Sequence, residues 1–224
     1  MMTQTKEPQY STCLEIDRQS GRTQLGLMTN QVWHDDPRRL GFVLARYKFV
    51  AKMFSGFPRV LEVGCADAFG SRIVQQEVGS VVVTDFDPIF IADVNARQSQ
   101  RWPLKAVLHD MLQAPFPGQF DGAYAVDVLE HIPREQEGVF IRNMIAPLTD
   151  QGVCLLGSPS IQSQAYASPP SKAGHVNCKD APELKALMQT FFHNVFLFSM
   201  NDEVVHTGHH AMAHYLWALG VGKR

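Results

Sequence analysis

The chain has 224 residues, 45% apolar and 19% charged, the composition of one ordinary soluble globular domain rather than a disordered, collagen-like or coiled-coil chain. Lysines and arginines (20) nearly balance aspartates and glutamates (22) and are scattered along the chain, which argues against a sequence-independent grip on nucleic acid. No stretch approaches the roughly 20 apolar residues of a membrane helix, and MMTQTKEPQYST has no signal-peptide core, so a cytoplasmic protein off the membrane is expected.

Residues 1–35 carry polar clusters without a sustained period and read as an arm, with order expected to begin near Asp36 and one domain over 36–224. Asp36 can cap a helix with Pro37 at its first position, and Leu40, Val43, Leu44, Tyr47, Val50, Ala51 and Phe54 then recur at helical spacing until Gly56. Beyond it, strands are predicted at 59–63, 81–85, 105–108, 122–126, 153–156 and 195–200, with helices at 69–77, 88–97, 133–148 and 181–192. The last of these helices has Asp180 and Glu183 at capping-box spacing. Cys13, Cys65, Cys154 and Cys178 lack any CxxC spacing, so free, mostly buried thiols are expected.

This alternation, with near-continuous apolar strands such as VVV at 81–83, implies an α/β fold, a doubly wound, mostly parallel sheet with helices on both faces. The stretch from Ser158 to Asn177, rich in Ser, Pro and Gly, reads as a long loop, functional or disordered, at the carboxyl edge of the sheet, where such sheets bind ligands. AMAHYLWALG, residues 211–220, reads as a returning antiparallel strand.

The sharpest motif is VLEVGCADAFG at 60–70, a strand carrying Glu62 that enters a small-residue turn at Gly64, Cys65, Ala66 and Asp67 and leaves it in a helix. Such a turn lets a ligand approach the backbone, yet it lacks the GxGxxG of a dinucleotide site. Asp85, Asp110 and Asp127 follow successive strands. Carboxylates along one sheet edge suit a ligand with a ribose diol, an exocyclic amine and a cationic centre.

VLEVGCADAFG, then VTDFDP, then HDMLQAPFPGQFDGAYAVDVLEHI together resemble the class I S-adenosylmethionine-dependent methyltransferases over roughly residues 37–160. The resemblance implies a Rossmann-like sheet of seven strands with the last antiparallel, and S-adenosylmethionine as cofactor with S-adenosylhomocysteine as product. It places Asp85 on the ribose hydroxyls with Phe86 nearby, Asp110 on the adenine amine with Met111 against the ring, Glu62 and the Gly64 turn on the methionine part, and the backbone near Val126 on its amino group. Ala66 and Ala68 stand where the family favours glycine and must take backbone conformations that glycine adopts more easily.

His131 in LEHI and His175 in AGHVN fall at the mouth of this site and are candidate general bases for an oxygen acceptor. Tyr166, Asn201, Asp202 and His206 are candidate linings of a polar acceptor pocket. The histidines at 206, 209, 210 and 214 are not read as a metal site; polar lining by Asn201, Asp202, Glu203 and His206 is the reading preferred, and no metal is expected. The function expected is methyl transfer to oxygen or nitrogen of a small molecule, with nucleic acid and membrane disfavoured and a homodimer the one protein assembly considered. Its rivals are a non-catalytic cofactor-binding protein and a nicotinamide-dependent oxidoreductase.

Overall fold

A computed structural model describes residues 4–224. After a 3-10 turn at Pro8–Tyr10 the chain forms helices α1 (Ser11–Ser20), α2 (Leu27–Asp35) and α3 (Arg38–Met53). Then come β1 (Val60–Val63), α4 (Ser71–Val74), β2 (Val81–Asp85), α5 (Pro88–Ala96), β3 (Lys105–Leu108) and β4 (Phe120–Val126). A 3-10 turn at Leu129–His131 leads to α6 (Glu137–Ile145) and β5 (Leu148–Pro159). A further 3-10 turn at Ile161–Tyr166, α7 (Pro169–Gly174) and α8 (Ala181–Gln189) follow. The chain closes with β6 (Phe192–Asn201), β7 (Val204–His206), a 3-10 turn at His210–Met212 and β8 (Tyr215–Lys223).

The strands form one sheet in the order β3-β2-β1-β4-β5-β8-β6-β7. β1 pairs in parallel with β2 on one side and β4 on the other. The chain therefore winds outward in both directions from this pair, and a crevice opens beyond its carboxyl ends. β8 runs antiparallel to both β5 and β6.

Alternating strand residues feed two cores, one on each face. Leu61, Val63, Ala123 and Ala125 meet Phe140, Ile141 and Met144 of α6 and Leu184 and Met188 of α8. Val60, Val81, Val83 and Tyr124 meet Tyr47 and Val50 of α3, Val74 of α4 and Ile91 and Val94 of α5. Burial on both faces is what the unbroken apolar strands require.

The doubly wound sheet stands as expected, with eight strands instead of seven. The addition is β7, whose three residues pair antiparallel with the end of β6 and are too few to show an alternation in sequence. Where an arm is expected, residues 11–35 hold the helices α1 and α2. α1 buries none of its residues, while α2 is anchored by polar contacts: Leu27 N donates to Asp93 and Thr29 N to Asp67. Such an anchor leaves no apolar period.

α3 starts at Arg38, and Asp36 accepts from the Arg38 N–H at 3.3 Å. The stretch 158–177 is no open loop. Ser160 accepts from Ser163 N and Ser168 from Ser171 N, capping the 3-10 turn at 161–166 and α7. Cys65, Cys154 and Cys178 are buried free thiols and Cys13 an exposed one. Among the described residues no helix is long and apolar enough to cross a membrane.

Candidate active site

At the carboxyl end of β1 the backbone turns through Gly64 (φ +74°), where a Cβ would come within 2.4 Å of Val128 Cγ2. Ala66 and Ala68 adopt φ of 46° and 52°, the left-handed conformation that the missing glycines imply. The N–H groups of Gly64 and Cys65 both donate to Thr84 O, at 2.8 and 3.0 Å.

Asp85, buried at the end of β2, accepts from Ala66 N at 2.8 Å through Oδ2 and from Asp87 N at 2.9 Å through Oδ1. Each oxygen has a second lone pair, so the carboxylate is oriented and still able to accept from a diol. Phe86 beside it is 72% exposed and fills no core. Asp110 is half-buried and accepts from Leu112 N, while the side chain of Met111 lies inside the core. Val126 is buried at the end of β4.

Glu62 is 1% exposed and accepts from Tyr47 Oη at 2.9 Å and Tyr124 Oη at 2.6 Å. Burial raises its pKa against the pull of these hydroxyls. It braces α3 to the turn, and Gly70 leaves the room that the Tyr47 ring occupies. The Cys65 thiol is pushed up by burial, then by the nearby Glu62, and is no nucleophile.

Asp67 departs from its expected role. Its carboxylate accepts from Thr29 N at 2.6 Å and Phe69 N at 3.2 Å, so it is occupied in holding the α2 segment over the turn.

Beyond β4, Asp127 (φ +58°) is bridged by Arg46 at 2.6 Å, and the Arg46 guanidinium lies 3.9 Å from the centroid of the Tyr215 ring. Arg46 is thus an inward helix charge. Asp127 Oδ1, Arg46 Nε and Tyr215 Oη are buried without a hydrogen-bond partner. Open polar atoms of this kind mark a place where a polar ligand is at home.

The two histidines lie against each other. Their rings lie 5.1 Å apart in an edge-to-face arrangement, one in the 3-10 turn after β4 and one at the end of α7. His131 Nδ1 meets Gly174 O and His175 Nδ1 meets Gln164 Oε1, each at 2.9 Å. Burial, then the neighbouring His131, lowers the His175 pKa, which keeps the ring neutral around pH 7. Glu130 lies alongside with 1% exposure and accepts from Ser158 Oγ. Burial, then the charge of Asp127, raises its pKa well above the carboxylate range. The VLEH motif displays Glu130 in sequence, but nothing in its spacing marks it as a site residue.

The acceptor-pocket residues are corrected. Tyr166 is 92% exposed and faces solvent. Asn201 Oδ1 pairs with His206 Nε2 at 2.9 Å, and Asp202 is an exposed left-handed turn residue at φ 50°. These three close the β6–β7 hairpin, because a two-strand edge needs such a turn to fix its register. A separate cavity of about 380 Å³ lies behind the turn, lined by Leu44, Phe69, Arg72, Val94 and Trp102 among others, and holds none of Asp85, Asp110 or Asp127.

An adenosyl sulfonium fits the donors and acceptors present: a left-handed turn that a Cβ at Gly64 would block, an oriented Asp85, Asp110 on the next strand, and open polar atoms at Asp127. A family profile described as a methyltransferase domain matches residues 60–152. The ubiquinone biosynthesis O-methyltransferase of Psychrobacter arcticus is 25% identical over 139 residues, 60% of this chain and 53% of that protein. A probable S-adenosylmethionine-dependent methyltransferase of Mycolicibacterium smegmatis is 26% identical over 134 residues, 58% of this chain and 50% of that protein. The chain thus spans about half the length of the curated relatives it matches.

Among solved structures, the N-methyltransferase NodS of Bradyrhizobium japonicum with S-adenosyl-L-homocysteine superposes with a TM-score of 0.59 at 19% identity, over 85% of this chain and 90% of that one. The 1,6-didemethyltoxoflavin-N1-methyltransferase of Burkholderia thailandensis superposes with a TM-score of 0.63 at 17% identity, over 100% of this chain and 94% of that one. The motif order, the sheet and these relatives agree: residues 60–152 match a methyltransferase domain, and the chain is similar to the class I S-adenosylmethionine-dependent methyltransferases.

Proposed function

We propose that the chain transfers the methyl group of S-adenosylmethionine to a hydroxyl oxygen of a small polar molecule. What supports this reading is that the left-handed Gly64–Ala68 turn, Asp85, Asp110 and His131, with His175 packed on it, all lie at or after the carboxyl ends of the adjacent parallel strands β1, β2, β3 and β4. When bound, the cofactor supplies a methyl group on a sulfonium, displaced in line as the sulfur leaves as a neutral thioether.

The chain contributes alignment and proton handling. Asp85 and Asp110 fix the adenosyl end, and the turn sets the methionine end against β1. Arg46 and Asp127 border the place of transfer and offer polar atoms to an acceptor. The acceptor hydroxyl gives its proton to the free Nε2 of His175, whose Nδ1 is engaged with Gln164, as its oxygen bonds the methyl group; His131 and His175 are the catalytic residues of this reading. Positioning of this kind shortens the path to the aligned encounter.

The curated relative of Psychrobacter arcticus is named an O-methyltransferase, which favours oxygen. A metabolite extract incubated with the protein and methyl-labelled cofactor should yield a labelled product followed by mass spectrometry. With that acceptor, His175→Ala should lower turnover about 10²- to 10⁴-fold at nearly unchanged cofactor affinity, the usual scale for losing proton transfer. A labelled nitrogen with undiminished turnover in the variant contradicts the hydroxyl reading.

A further inference from the structure

We infer that Glu130, His131 and His175 form a binding site for one divalent transition-metal cation at the acceptor side of the crevice. One ligand atom from each of the three lies within 4.8 Å of the other two. This reverses the expectation of a metal-free site, and among the described residues no other group of three comes this close. The proposal rests on the methyltransferase reading and, with the ion bound, replaces its histidine base: the ion would meet the acceptor's oxygen and lower its pKa, so that the proton leaves to solvent.

The tautomers favour an ion. Gly174 O can only accept, so His131 Nδ1 must carry the proton that bonds it. At His175 the partner is Gln164 Oε1, and the orientation of that amide is set by Gln164 Nε2, which donates to Ser160 O and to Ser163 Oγ. Nδ1 of His175 must therefore donate as well. Both imidazoles are left with their Nε2 lone pairs available, the arrangement in which a metal-bound histidine donates its other N–H to a carbonyl and is held in place by it.

The frame around the ligands is stiff. Glu130 O accepts from both Val176 N and Asn177 N, at 2.8 and 3.0 Å, which joins the turn after β4 to the chain after α7. Glu130 and His131 on one segment thereby face His175 on the other. Ser158 Oγ donates to Glu130 Oε2, fixing the carboxylate. Glu130, 1% exposed, has no cation among its hydrogen-bond partners, since Arg46 is already paired with Asp127, and it would give up its proton on binding a metal ion.

Two imidazoles and one carboxylate suit zinc, iron, cobalt or nickel better than magnesium or calcium, which prefer oxygen ligands. Three protein ligands leave coordination positions open, and His131 is exposed to solvent. The acceptor class that fits is a molecule offering one or two oxygen donors.

The test is calorimetric, on the full chain stripped with a chelator and titrated with zinc ion. One equivalent should bind, with magnesium at least about tenfold weaker. Glu130→Gln and His175→Ala should each weaken zinc at least about tenfold. Gln164→Ala, which removes the acceptor for His175 Nδ1 and leaves all three ligands in the chain, should weaken it by about 10- to 100-fold, as loss of such a partner does. His209→Ala, on the exposed histidine stretch, should bind as the parent does.

The inference is overturned by absence of stoichiometric zinc binding, by variants that bind like the parent, by a preference for magnesium, or by a loss confined to His209→Ala. S-adenosylhomocysteine titrated into the same samples reports both folding and the underlying reading. S-adenosylhomocysteine binding without zinc binding defeats the cation site alone, whereas absence of S-adenosylhomocysteine binding in the parent chain defeats the methyltransferase reading itself.

Discussion

Ala66 and Ala68 show what one atom costs in this turn. A non-glycine residue in the left-handed region loses about 1–2 kcal/mol, and both alanines sit there, at φ 46° and 52°. Ala66→Gly removes that strain but gives the unfolded chain about 0.4–1 kcal/mol of extra freedom. The net expected gain is about 0.5–1 kcal/mol, a rise in Tm of about 1–4 °C, read by thermal denaturation. Gly64→Ala should do the opposite, since its Cβ would meet Val128 at 2.4 Å. The alanines' conformation was legible because the motif departs from glycine at known places. The roles of Glu130 and Asp127 were not, because what makes them special is burial and partners brought by other segments: Ser158 for one, Arg46 for the other. Asp67 misled for the same reason, its partner Thr29 lying in a segment without a period.

At the scale of the elements, local signals carried furthest where one residue type decides the outcome. β2 and β3 fall on their expected residues, and α8 opens with the Asp180–Glu183 capping box in both directions. Asp180→Ala removes the side-chain acceptor of Glu183 N and should cost about 1 kcal/mol of stability. Urea denaturation should show it, with affinity for S-adenosylhomocysteine unchanged because α8 packs on the far core. The stretch 158–177 misled because its Ser and Pro content reads as loop. The same serines act as caps: Ser160 and Ser168 each start a short helix, and Pro169 begins α7. Three-residue β7 lies below the length at which alternation has meaning, so the β6–β7 hairpin and its Asn201–His206 bond emerge only in three dimensions.

Across the whole molecule, the alternation of apolar strands and helices was enough to give the doubly wound sheet, because burial on both faces constrains every parallel strand. It did not place the N-terminal helices. α1 contributes nothing to the interior, so removing residues 1–20 should leave Tm within about 2 °C, given that each kcal/mol moves a domain of this size by about 2–4 °C. Removing the chain through residue 35 should lower Tm clearly, since it takes away the buried Thr29 and Val32 and frees the Asp67 carboxylate. A Tm equally insensitive to both truncations would show that α2 does not brace the turn.

The crevice at the carboxyl ends of β1, β2 and β4 is the centre of the account, and Asp85 is its most committed residue. Isothermal titration calorimetry with S-adenosylhomocysteine on the parent chain and on Asp85→Ala tests it most directly. The parent should bind one equivalent, and the variant, with its fold intact by circular dichroism, should bind at least about tenfold more weakly, the loss of a charge-assisted hydrogen bond of about 1.5–3 kcal/mol. Equal affinity in the two proteins, or no binding by the parent, would contradict the account.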